Sequence, residues 1–169
     1  DIVERADGIP LFIEELARDI AGDKRAGIPE TLQDLFAARL DALGVAKGVA
    51  QAAATIGREF DIALLQRISR LDIATLMRTL HQLKDAGLLL GSQIAGFRFK
   101  HALMHDAAYG SQTRHEREMT HLRIAVALKN SGKDERPEIL AQHWAAGGET
   151  HEAIACWIEA GKRASRESA

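Results

Sequence analysis

His101 and His105 stand four residues apart with Asp106 beside the second. On a helix that spacing puts two imidazoles on one face, which is half of a zinc site. The other half is missing, because no cysteine or further histidine lies close in sequence. The blander reading is a partly buried histidine at a helix start. His115 and His121 are expected to face solvent. Self-contained catalysis has no firmer foothold: the chain holds no G-x-x-x-x-G-K-S/T phosphate loop, no G-x-G-x-x-G, no G-x-S-x-G elbow and no H-E-x-x-H. Gly132-Lys133 and Gly161-Lys162 are followed by Asp134 and Arg163, where a phosphate loop needs Ser or Thr. The chain is therefore not expected to be an enzyme, nor to hold a triphosphate and its magnesium by itself.

Composition narrows the classes further. Among 169 residues, 22 Lys and Arg stand against 24 Asp and Glu, a net charge of −2, and 46% are hydrophobic. That is a globular balance, not a disordered one, and it gives no overall field toward nucleic acid or an anionic membrane. A lone cysteine, Cys156, makes no internal disulfide, so a reducing compartment, the cytoplasm, is expected. Apolar stretches such as Ala86–Gly91 fall far short of the roughly 20 residues of a membrane helix. The chain opens with Asp1-Ile-Val-Glu in place of Met and a charged leader, which reads as a piece of a longer protein.

The elements that must position these residues are mostly helical. Leu32, Leu35, Phe36, Leu40 and Leu43 fall at steps of three or four, as do Ile73, Leu76, Met77, Leu80 and Leu83. Prolines and glycines punctuate the runs, giving helices expected at 10–21, 30–43, 45–56, 61–69, 72–86, 101–111, 114–130, 136–146 and 150–166. Gly87-Leu-Leu-Leu-Gly91, a Ser92-Gln93 tip and the alternating Phe97-Arg98-Phe99-Lys100 read as a β-hairpin. Three helices followed by a hairpin is the order of a winged helix, with a plain helical bundle carrying a hairpin as the rival. Leu140-Ala141, Trp144, Gly148, Ala153, Trp157 and Ala160 have the spacing of a tetratricopeptide repeat. The alternative there is an ordinary helical hairpin with two core tryptophans. The fold class is accordingly mainly α: a helical segment and a winged helix, followed by a tetratricopeptide-like helical hairpin.

A winged helix often reads DNA with its third helix. Here that helix, 72–86, sets Arg78 and Lys84 against Asp72 and Asp85, leaving little positive charge for phosphates. The basic clusters, Arg67 with Arg70 and Arg114 with Arg117 and Arg123, are interleaved with acids or spaced like a solvated helix face. A DNA-binding transcriptional module is the alternative reading, and on this charge balance DNA is not the expected partner.

Three motifs carry a family resemblance: Asp7-Gly-Ile-Pro-Leu-Phe-Ile-Glu-Glu-Leu16, Ile56-Gly-Arg-Glu-Phe60, and Phe97-Arg-Phe-Lys-His-Ala-Leu-Met-His-Asp-Ala-Ala-Tyr109. Together they resemble the signal-transduction ATPases with numerous domains, the bacterial branch joined to class III adenylate or guanylate cyclases, protein kinases or LuxR-type regulators. The resemblance covers nearly the whole chain. It implies the order of that family from just after its P-loop module: the end of a helical lid at 1–27, a winged helix at 28–132, and the start of tetratricopeptide-like repeats at 133–169. It implies that Gly8-Ile9-Pro10 matches the G-x-P motif, whose proline packs on adenine. It implies too that Lys100-His101-Ala102 falls at the Met-His-Asp position, whose histidine reaches the β-phosphate of ADP. Ala102 stands where that motif has its aspartate. The expected ligands are ADP or ATP with magnesium, held by the parent protein and not by this chain alone. The expected partners are the P-loop module and proteins met by the repeats, with no membrane.

Overall fold

The computed structural model describes residues 32–131 and 136–167. Gly8, Pro10, the helix expected at 10–21 and the 1–27 segment lie outside the described residues. The described chain is mainly helical, with eight helices and one small sheet. In order they are α1 (Leu32–Asp41), α2 (Val45–Ile56), β1 (Glu59–Phe60), α3 (Ile62–Ser69), α4 (Ile73–Asp85), β2 (Leu89–Ser92), β3 (Gly96–Phe99), α5 (Ala102–Gly110), α6 (Arg114–Lys129), α7 (Pro137–Ala146) and α8 (Thr150–Glu167). From α2 onward each helix end falls within one residue of its expected place.

Local chemistry explains those ends. Asp61 caps α3 by accepting from the Leu64 amide at 2.8 Å, and Asp72 caps α4 by accepting from Thr75 at 2.9 Å. Thr113 and Glu116 form a reciprocal capping box at the start of α6. Pro137 occupies the first turn of α7, where its missing N–H has no partner to lose.

The sheet has the order β1-β3-β2, antiparallel throughout. Leu89 pairs with Phe99 and Gly91 with Phe97, while Phe60 of β1 pairs with Phe97 from the other side. The period of two sends Phe97 and Phe99 inward and leaves Arg98 exposed. Strand β1 is an addition to the expected hairpin. Its two residues are too few to show a periodicity, and it exists because β3 offers it an edge.

Helix α2 is central. Its sequence is rich in alanine, so neighbours approach closely, and it touches α1, α3, α4, α5, α6 and β1. Around it the main core gathers Phe36 and Leu40, Leu65 and Ile68, Leu76, Leu80 and Leu83, both phenylalanines of β3, Met104, Ile124 and Leu128. A second, smaller cluster sets Ala125 of α6 against Trp144 of α7 and Ala153 of α8. Helix α6 thus gives one face to each cluster. Trp157 departs from the two-core-tryptophan alternative: it is 45% exposed and lines an open cleft with Arg136 and Glu138 at the start of α7. Among the described residues no helix is long and apolar enough to cross a membrane.

Candidate functional site

Strand β3 runs directly into α5, and His101 sits at the junction. Its backbone is extended (φ −133°, ψ 150°), the conformation of a residue preceding a helix, and its carbonyl accepts from the amides of Met104 and His105. Two anchors fix the junction: Phe99 is fully buried and donates its amide to the Arg58 carbonyl, and Met104 is fully buried on the first turn of α5. The imidazole does not cap its own helix. Its Nε2 is buried and, among the described residues, has no hydrogen-bond partner. An unpaired buried nitrogen costs roughly 1–3 kcal/mol, so such an atom calls for a partner. As the Nε2–H tautomer it is a donor, suited to an anion at a helix N-terminus.

One turn on, His105 behaves differently. Its Nδ1 faces Asp106 Oδ1 at 2.9 Å and its Nε2 faces the Ala54 carbonyl of α2 at 3.0 Å. Both ring nitrogens are engaged, which leaves none for a metal. The half zinc site of His101 and His105 is therefore not formed. Among the described residues no group of three metal-ligating side chains gathers anywhere. Asp106 orients His105, not His101.

From His105 a line of rings crosses the molecule. Phe99 meets His105 edge-on at 5.5 Å, His105 stacks on Tyr109 at 6.4 Å, and Arg117 lies over the Tyr109 ring at 5.0 Å. The Tyr109 hydroxyl meets His121 Nε2 at 2.9 Å, and His121 Nδ1 meets His143 Nδ1 at 2.9 Å. His121, expected to face solvent, is instead half-buried with both nitrogens engaged. Burial, and then Arg117, lowers its pKa. Burial, with His121 beside it, pushes that of His143 down to about 4. Sequence reasoning missed this chain because its two histidines lie 22 residues apart on different helices. The i, i+4 step from His105 to Tyr109 was its visible trace.

A polar knot ties α2 to the α5–α6 turn. Gln112, buried, donates to Thr55 Oγ1 at 3.0 Å, and Gln51 donates to Ser111 Oγ at 3.0 Å. Together with the His105–Ala54 contact it holds α5, and so His101, in a fixed place on α2.

No protein-family model and no solved structure matches the chain. All of it aligns, at 28% identity over 191 residues, with an uncharacterized protein of Rhizobium meliloti (strain 1021). The chain spans 18% of that relative's length.

Proposed function

We propose that this chain is a non-catalytic regulatory segment of a nucleotide-switched signalling ATPase, in which a winged helix closes on ADP bound by a separate P-loop module. The observation that carries the reading is the buried Nε2 of His101 at the start of α5, which has no partner among the described residues. A β-phosphate oxygen is the acceptor this donor lacks. Support for the winged helix comes from the element order α2-β1-α3-α4-β2-β3 and from the β1-β3-β2 sheet. Helices α7 and α8 pack directly on each other, with Trp144 and Ala153 in one cluster, which supports a tetratricopeptide-like unit at 133–169. The remaining boundaries, 1–27 for the end of a lid and 28–132 for the winged helix, belong to the same reading. So do Gly8 and Pro10 as adenine-side contacts, a cytoplasmic setting, and protein partners on the repeats. The alignment with a relative more than five times as long fits a chain that acts within a larger protein.

In the switch, ADP lowers the energy of the closed form through its contact with His101, and exchange for ATP or a signal on the repeats releases it. A ligand moves such an equilibrium only by its differential contacts, and the contact with His101 is made in the closed form alone. His101→Ala in the full-length protein is expected to favour the open form, read as faster limited proteolysis between the P-loop module and the winged helix in saturating ADP. Unchanged cleavage with ADP, together with unchanged output, overturns the reading.

A further inference from the structure

We propose that the Tyr109–His121–His143 chain is a proton-sensitive joint, which fastens the α7–α8 hairpin to α5 and α6 while its imidazoles are neutral and lets go once both carry a proton. The inference stands on geometry between three helices and does not rest on nucleotide binding.

Proton bookkeeping sets the behaviour. With both rings neutral, the Tyr109 hydroxyl donates to His121 Nε2, and His121 Nδ1–H donates to His143 Nδ1, so each 2.9 Å contact holds one proton. A first added proton is tolerated: it occupies His121 Nε2, the tyrosine oxygen turns acceptor, and both bonds survive. A second proton has to go on His143 Nδ1. Two N–H groups then point at each other across 2.9 Å, each on a cationic ring. The bond between α6 and α7 becomes a repulsion.

The surroundings offer no relief. Arg117 from α6 is a fixed cation beside the pair, and His105 from α5, stacked on Tyr109, is itself engaged with Asp106. On the α7 side His143 is 8% exposed, and the charge that acts on it is His121. Among the described residues no carboxylate acts on either ring. The contact cannot widen without moving α7, because the adjacent Gly147 lies against the α6 backbone: a Cβ there would come within 3.2 Å of the Leu122 amide nitrogen.

The sign follows from the lowered pKa values. A histidine whose folded pKa lies below its unfolded value takes up protons more readily when released. The docked hairpin therefore keeps its full stability above pH 6.5 and loses it as pH falls from 6.5 toward about 4. Trp144, next to His143 and 6% exposed, reports the event.

The test uses the whole chain with Trp157→Phe, so that emission comes from Trp144 alone. Between pH 7.5 and 4 the emission is expected to shift to the red while far-ultraviolet helix signal is largely kept, and His143→Phe is expected to abolish the shift. Should that variant fail to fold, the imidazole nitrogen resonances of the unmodified chain decide. A shared Nδ1 proton at pH 7 that is lost as Trp144 moves supports the joint. A flat Trp144 titration, an identical one in His143→Phe, loss of all helix signal in the same step, or two rings titrating independently near 6.5 overturns it.

Discussion

At the scale of residues, His101 is unusual in what it lacks. Its Nε2 is buried with no partner among the described residues, and a polar atom left so is a liability of the kind that marks places kept for function over stability. His101→Leu is therefore expected to leave thermal stability unchanged or raise it by up to about 1–2 kcal/mol, because an apolar side chain leaves nothing unpaired. A loss of more than about 1 kcal/mol in that variant means that Nε2 has a partner within the chain. His101 was legible in sequence because its neighbours Phe97, Phe99 and Met104 mark the end of a strand and the start of a helix. The placements of His105 and His121 were not. Whether an imidazole nitrogen is free depends on what lies across the fold, and here that is a carbonyl of α2 for one and a histidine of α7 for the other.

At the scale of elements, the β2–β3 hairpin depends on one glycine. Gly91 has φ +116°, and a Cβ there would lie 1.9 Å from the Gly96 carbonyl oxygen, a backbone atom that cannot rotate aside. Gly91→Ala is expected to destabilise the chain by at least about 2 kcal/mol in urea unfolding, by breaking the β2–β3 ladder. A change under about 0.5 kcal/mol contradicts the described hairpin, that being the range of ordinary surface substitutions. The helices were legible because their limits are written in local chemistry: Asp61, Asp72, Thr113 and Pro137 each mark a start. Strand β1 was not, since Glu59 and Phe60 form a strand only by pairing with Arg98 and Phe97, which lie 39 and 37 residues on. Trp157 shows the same limit. Helical spacing places it on a stripe with Ile154 and Ile158, but only a neighbouring element decides whether that stripe is covered, and all three are about half exposed.

At the scale of the molecule, α6 is shared by both hydrophobic clusters, with Ile124 and Leu128 facing one and Ala125 the other. Helix α5 carries His101 at its start and, near its end, Tyr109, which meets His121 and Arg117 of α6. A ligand at one end of α5 and a proton at the other would thus act on one rigid helix, tied to α2 by His105 and Gln112. Neither the shared helix nor the tie can be read from periodicity, because both arise where residues distant in sequence meet. The central claim is that His101 supplies a bond to bound nucleotide. Its most direct test is the equilibrium affinity of the full-length protein for ADP, measured for the natural sequence and for His101→Ala. Loss of a hydrogen bond to a charged group is worth about 1.5–3 kcal/mol, so the dissociation constant is expected to rise roughly 10- to 100-fold. An affinity for ADP that is the same in both proteins contradicts the account.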